Sequence, residues 1–351
     1  MDLTNLRTLG RCGLPVSPLT LGTMTMGNTE WGSPDADSKT IFNAYVDAGG
    51  NSIDTADVYA GGRSEELVGQ FIADRGLRDR VVLATKYGFS AEAGNPLAGG
   101  AGRKNLSRAV EGSLRRLGTD YIDVYWLHVW DRVTPAEEVV QGLGDLVRAG
   151  KIRYFGFSDT PAWFAAQAAA LATALGVPGP VALQLEYSLV ERSIEREHVP
   201  AAQALGLGVV PWSPLAGGFL AGKYRPEGAA VTGSGRLGGS NPFGNSKSTD
   251  RNWATLEVLR SVAEELGRSL SQVALAWIGR QAGVSTILLG TRTESQLRDN
   301  LASLGVDLTD DALARLNQVS APESGFPYAI YTDEVMTWAV NGGSHVRGWG
   351  G

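Results

Sequence analysis

Cysteine, histidine, excess charge and long apolar runs are all scarce in this chain. A single cysteine, Cys12, excludes an internal disulfide framework, and three histidines leave little from which to build a zinc site. Basic and acidic residues nearly balance, 31 against 37, for a net charge of −6. No positive field therefore invites nucleic acid or an anionic membrane. The longest apolar runs, such as Trp163–Leu175, are interrupted by Gln167 and Thr173 and fall short of a membrane span. The opening MDLTNLRTLGRCG has no apolar signal core. The expectation is a soluble, cytoplasmic protein with neither a nucleic-acid nor a membrane partner.

What the chain does have is glycine, with 46 in 351 residues, and enough apolar material, 43%, for a large core. Short apolar runs recur at Leu19–Thr23, Asn51–Asp57, Val81–Lys86, Tyr121–His128, Lys151–Ser158, Val181–Tyr187, Gly208–Pro214 and Val284–Gly290. Runs this short and this continuously apolar fit strands buried on both faces, as in a parallel sheet. Helical periodicity fills several gaps, over Lys39–Ala48, Leu106–Leu117 and Pro135–Ala149, each followed by glycine. Thr134 and Pro135 read as a cap and a first helical residue. An α/β fold follows, and eight strands at roughly 30-residue spacing favour a closed (β/α)8 TIM barrel with long loops at its C-terminal face. An open doubly wound sheet alternates in the same way, so alternation alone leaves both architectures standing. No linker separates two domains, and the whole chain 1–351 reads as one barrel. Residues 216–250 read as a long functional loop and residues 321–351 as a tail over the barrel.

Barrels of this kind carry their chemistry at the C-terminal ends of the strands. The second strand ends at Asp54 with Tyr59 five residues on, the third at Lys86 and the fourth at His128. Taken singly, Lys86 reads as a solvated side chain, His128 as a core histidine, Tyr59 as a loop residue and Asp54 as a turn cap. Their joint occurrence at three successive strand ends changes that reading. A buried lysine paired with Asp54 stays charged, and its charge favours phenolate at Tyr59. That makes Tyr59 a usable proton donor and acceptor near neutral pH.

From about Leu9 to Leu316 the chain resembles the aldo-keto reductases. The matching segments include LTLGT at Leu19–Thr23, DTADVY at Asp54–Tyr59, GRSEELVG at Gly62–Gly69, ATK at Ala84–Lys86 and SLRRLGTDYIDVYWLH at Ser113–His128. Further on stand GKIRYFGFSD at Gly150–Asp159, LQLEYS at Leu183–Ser188, PWSPLAGGFLAGKY at Pro211–Tyr224 and GTRTESQLRDN at Gly290–Asn300. The likeness is greatest to the longer bacterial members acting on aldehydes, ketones and aryl alcohols. It implies a barrel that binds NADP(H) without a separate dinucleotide domain, and a catalytic set of Asp54, Tyr59, Lys86 and His128.

The resemblance also implies a cofactor site. Gly22, Thr23 and Met24 stand at the first strand end, and Ser158, Asp159 and Gln184 match residues that hold the carboxamide. Trp212 matches the aromatic that stacks on nicotinamide, and Ser213, Pro214, Leu215, Gly217 and Lys223 match the pyrophosphate segment. Arg236, Gly290, Arg292, Gln296 and Asn300 match the segment for adenosine and 2′-phosphate. Guanidinium groups suit a phosphate, which favours NADPH over NADH. One residue departs from the pattern: the family usually has asparagine where this chain has Asp159. Aspartate accepts from an amide but cannot donate to it, and it brings a negative charge near the nicotinamide.

The literal G-x-G-x-x-G at Gly233–Gly238 follows no strand and opens no βαβ unit, so it is a glycine-rich loop and no dinucleotide fingerprint. In the family that loop can fold over the cofactor. Met24, Trp31, Tyr87 and Trp130, with Phe326, Pro327 and Tyr328 of the tail, are expected to line the substrate pocket, and aromatic lining suits apolar or aryl carbonyls. The leading reading is an NADPH-dependent aldehyde or ketone reductase with a small carbonyl or alcohol substrate. Two rivals share the barrel. One is a cofactor-sensing subunit similar to potassium-channel β subunits, which carry asparagine where this chain has His128. The other is a deoxysugar-pathway keto-reductase, for which no basic cluster serves a second diphosphate. Neither the oligomeric state nor the identity of the substrate is legible.

Overall fold

The computed structural model describes residues 2–227, 230–232, 237 and 247–346. The chain folds as two units, Met1–Ser320 and Ala321–Gly351. In the first, parallel strands run β1 (Leu19–Gly22), β2 (Ser52–Asp54), β3 (Val82–Tyr87), β4 (Ile122–Leu127), β5 (Ile152–Ser158), β6 (Ala182–Glu186), β7 (Gly208–Trp212) and β8 (Ile287–Gly290). From β1 to β7 each pairs with the next in chain order, and β8 pairs with β1. The ring closes just ahead of β8, where the Val209 N–H donates to Gly283 O at 2.8 Å and the Ser285 N–H to Val209 O at 2.9 Å. This is the (β/α)8 barrel that the spacing favoured, and the open sheet is excluded.

The apolar runs became strands because they bury both faces. The inner face is a small cluster that includes Val82, Ala84, Val124, Trp126, Ala182, Val210 and Leu288. Its largest member, Trp126, has room only because β5 carries glycine opposite it. A Cβ on Gly156 would stand 2.4 Å from the indole ring and 2.5 Å from Ala182 O. The outer face packs Leu83, Tyr87, Tyr125, Phe155, Phe157 and Leu183 against the helices, in the larger core.

Helices α1 (Asp35–Asp47), α2 (Arg63–Asp74), α3 (Arg103–Leu117), α4 (Ala136–Arg148), α5 (Ala162–Leu175) and α6 (His198–Leu205) follow the first six strands. After β7 come α7 (Asp250–Leu266) and α8 (Leu270–Gly279), and after β8 come α9 (Glu294–Leu301) and α10 (Asp310–Ser320). Gly118 ends α3 in the left-handed conformation, φ 62°, as a glycine stop should. The expected Thr134 cap on α4 does not form. Its hydroxyl donates instead to Asp131, whose carboxylate also accepts the Val133, Thr134 and Ala101 N–H groups.

A two-residue hairpin, Arg7–Thr8 with Pro15–Val16, precedes β1 and was not legible in the sequence. It delivers Leu9 and Val16 into the inner cluster at the N-terminal end of the strands, and the Arg11 N–H ties it to Gly206 O at 2.9 Å. The segment from residue 216 is not wholly irregular. It begins with a 3-10 turn, Ala216–Ala221, and continues into an antiparallel pair, Arg225–Glu227 with Ala230–Thr232. The G-x-G-x-x-G stretch and Arg236 lie outside the described residues, except for Leu237. In the second unit Tyr328–Ile330 makes one 3-10 turn, and Asp333–Val335 runs into a π-turn at Met336–Val340. Among the described residues no helix is long and apolar enough to cross a membrane. None of their His, Cys, Asp and Glu side chains cluster as a metal site would require.

Candidate active site

Strand register brings the catalytic candidates level. Gly290 pairs with Gly22 and Gly22 with Asp54, while Lys86 pairs with Trp126 one strand further round. Pairing outlasts the regular strand at β2, since the Thr55 N–H donates to Ala84 O and the Asp57 N–H to Lys86 O at 3.2 Å. This is why the apolar run read as a strand up to Asp57. The chain then turns at Tyr59, passes through left-handed backbone at Ala60 and Gly61, and enters α2. The His128 N–H donates to Tyr87 O at 2.8 Å, which fixes the histidine beyond β4 in the same way.

The four expected side chains converge. The buried Lys86 ammonium forms an ion pair with Asp54, donates to Thr55 O at 2.8 Å, and stands 4.9 Å from the centre of the Tyr59 ring. The second Asp54 oxygen accepts from Gln184 Nε2 at 3.0 Å. The rings of Tyr59 and His128 meet edge to face at 5.7 Å, and Phe89 covers the histidine at 4.7 Å.

The electrostatics assign a state to each group. Desolvation acts to strip the Lys86 proton, but the Asp54 charge first, with the Asp54 hydrogen bond and the neighbouring Tyr59 oxygen, outweighs it and holds the amine above its ordinary value. His128, 8% exposed, is held well below its ordinary value, by desolvation first and by the Lys86 charge second. It is neutral, and its Nδ1 is buried without a hydrogen-bond partner among the described residues. Tyr59 corrects the sequence expectation. Lys86 does pull toward phenolate, but desolvation is larger, and Asp54 and Asp159 add to it, so the phenol lies above its ordinary value. At neutral pH Tyr59 is a protonated donor.

The cofactor candidates divide by placement. Ser158 is buried at the end of β5, and Asp159 follows it in left-handed backbone, φ 46°, in the open mouth of the barrel. The Asp159 N–H donates to Gln184 O at 3.2 Å, and its Oδ1 accepts from Trp212 Nε1 at 3.0 Å. Desolvation by the surrounding wall pushes its carboxyl up to about 6, against the Trp212 bond, with Glu186 adding to the rise. After β7 the backbone turns left-handed at Ser213, Ala216, Gly217 and Gly218, beside the buried Pro214 and the half-buried Leu215. Such turns gather N–H groups on one side, as anion sites do. The exposed Lys223 lays its stem against this turn, its Cδ 3.1 Å from where a Cβ on Gly218 would lie. Beyond Gly290, Arg292 is exposed and Asn300 is buried. Gln296 Oε1 accepts the Arg292 N–H at 3.0 Å and so shapes the start of α9.

One assignment is corrected. Tyr87 was expected in the substrate pocket, but it is 0% exposed, stacks on Tyr125 at 5.1 Å and directs its hydroxyl toward Ala101 O. Strand alternation is the reason: Lys86 faces the barrel interior, so Tyr87 faces the helices. Thr23 is also fully buried, its hydroxyl held by Asp54 O at 3.1 Å and Ser64 Oγ at 2.8 Å, which leaves only its backbone for a ligand. Gly22 and Met24 are half-buried, Trp31 is exposed, and Trp130 packs edge to face on Trp163 at 5.4 Å. Phe326, Pro327 and Tyr328 belong to the second unit.

Sequence reasoning missed Phe89, which no pattern marked. It also missed a buried group behind Asp54 and Lys86, where Glu65 accepts from Thr85 Oγ1 and from Arg116 Nε, both at 2.6 Å. Asp57, 5% exposed, lies close by with an Oδ1 that lacks a partner among the described residues, and its carboxyl is pushed up to about 7, by desolvation first and by Glu65 second.

The residues fit a nicotinamide dinucleotide. An indole and a proton donor share the mouth, cationic side chains follow β7 and β8, and the buried Thr291 hydroxyl lacks a partner among the described residues. Comparison with known proteins identifies the family. Residues 18–321 match the aldo/keto reductase family. The chain is 36% identical to an uncharacterized oxidoreductase, YrpG, of Bacillus subtilis, over 94% of this chain and 98% of that one. It is 33% identical to an aryl-alcohol dehydrogenase [NADP(+)] of Phanerodontia chrysosporium, covering 92% of this chain and 87% of that one. It is also 36% identical to a probable voltage-gated potassium channel subunit beta of Oryza sativa, covering 86% and 91%. With its closed barrel, its tyrosine–lysine–aspartate constellation and a family match over most of its length, this chain belongs to the aldo/keto reductase family.

Proposed function

We propose that this oxidoreductase interconverts small aldehydes or ketones and their alcohols, using NADP(H) as the hydride carrier. The observation that carries the proposal is the placement of a charged, Asp54-held Lys86 4.9 Å from the Tyr59 ring, with a neutral His128 on the ring's other contact. When bound, the nicotinamide supplies or accepts the hydride. In the reducing direction Tyr59 gives its proton to the carbonyl oxygen. The phenolate left behind is stabilised by the Lys86 ammonium, a charge already in place before the reaction. His128, neutral, can donate one N–H to the same oxygen and so orient it. Asp54 and Gln184 touch no reacting atom and hold Lys86 in register. The exposed Lys223 and Arg292 suit the phosphates, and the NADP(+) named for the fungal relative supports the phosphorylated cofactor. Phe89 offers flat apolar surface against His128, and the Trp130–Trp163 pair stands just beyond the end of the same strand, which suits aryl carbonyls.

The test is loss of NADPH absorbance over a panel of aryl aldehydes, diketones and keto-sugars, with Tyr59→Phe in parallel. Turnover by the unaltered chain, lowered about 10²–10⁴-fold in the variant while NADPH binds as before, is the expected result. Tight NADPH binding without turnover on any substrate would favour a sensor resembling the channel-subunit relative.

A further inference from the structure

The mouth of the barrel holds several charges, and they are not compensated alike. The Lys86 ammonium is paired with Asp54. Glu186, at the end of β6, is paired with Lys247 at 2.9 Å, and Lys247 also reaches Glu191 at 3.3 Å. Asp159 forms no ion pair among the described residues. Among the described residues its side chain accepts only from a neutral donor, the Trp212 indole N–H. The carboxylate is also held in place: a left-handed backbone fixes its residue, its N–H is bonded to Gln184 O, and its carbonyl oxygen faces the Trp130 N–H at 3.5 Å. It is near enough to Tyr59 to raise that phenol.

We infer that Asp159 discriminates between the two redox forms of the cofactor, its carboxylate favouring the oxidised, positively charged nicotinamide over the neutral reduced ring. The inference rests on the cofactor reading given above. Hydride transfer requires the reacting carbons to meet at about 3–3.5 Å. A carbonyl protonated by Tyr59 therefore brings the nicotinamide into the same mouth as Asp159 and Trp212. The two forms differ there by one unit of ring charge. Across an open, solvent-screened mouth, that difference against one carboxylate amounts to about three- to tenfold in relative affinity. Hydrogen bonds to the carboxamide and contacts to the phosphates are common to both forms and cancel in the ratio. A chain biased this way retains the form that alcohol oxidation consumes, and in the reducing direction it is held back by its own oxidised product.

The test is calorimetric titration of the full chain with NADP⁺ and with NADPH separately, at pH 8 where Asp159 is ionised, for the unaltered protein and Asp159→Asn. Asparagine tolerates the left-handed backbone and keeps an acceptor for Trp212; it removes the charge, and the N–H donor it adds toward the carboxamide acts on both redox forms alike and cancels in the ratio. The ratio Kd(NADP⁺)/Kd(NADPH) is expected to rise about three- to tenfold in the variant. The difference between the two proteins should shrink as salt is added. An unchanged ratio, even with both affinities weakened together, would overturn the inference. Failure of the unaltered chain to bind either form would instead overturn the cofactor reading beneath it.

Discussion

At the scale of single residues, the site shows how far environment overrides residue type. Tyr59 and Asp57 stand two positions apart, and both are shifted toward the protonated form by desolvation, one in the candidate site and the other in the wall behind it. Asp57 has a stability consequence. Its folded-state value, about 7, lies above the ordinary carboxylate value of 3.8. The folded chain therefore binds the extra proton, and stability falls as pH rises from about 4 to about 7 before levelling off. Asp57→Asn should flatten that slope and raise stability at pH 8 by roughly 1–4 kcal/mol, measured by urea unfolding at several pH values. A variant that unfolds earlier than the parent at pH 8 would refute this account. None of this was readable in DTADVY, because the burial of Asp57 is set by α2 and α3 packing over it.

At the scale of elements, strands were far more legible than helices. Each barrel strand is a short apolar run with both faces covered, and observed and expected limits differ by few residues at β3, β4, β5 and β6. Helix starts were missed because first turns are polar and carry no apolar periodicity: α1 begins at Asp35 and α3 at Arg103. Tyr87 was misplaced for a different reason. Alternation was available in the sequence, and a Lys86 expected to face inward already implied a Tyr87 facing outward. Alternation also gives Gly156 its meaning, since it shares the inner face with Trp126 across the β4–β5 pair. Gly156→Ala drives a methyl into that ring and into Ala182 O. It should cost about 1–3 kcal/mol of stability, seen as a lower melting temperature.

At the scale of the whole molecule, the barrel separates its two ends. Chemistry gathers at the C-terminal ends of the strands, while the N-terminal hairpin closes the opposite end with Leu9 and Val16. Leu9→Ala should therefore destabilise the chain by about 2–4 kcal/mol yet leave kcat near that of the parent, measured by urea unfolding and by turnover on the best aldehyde. A large loss of kcat without loss of stability would contradict the separation. The sequence by itself favoured the barrel, through the spacing of its apolar runs, and it marked Asp54, Lys86 and His128 at strand ends with Tyr59 five residues beyond the first of them. Only the tertiary structure decided their protonation states, the Glu65–Arg116 and Lys247–Glu186 pairings, and the Asp159–Trp212 bond. Those depend on desolvation and on contacts between segments far apart in the chain, and neither is encoded in any local pattern of residues.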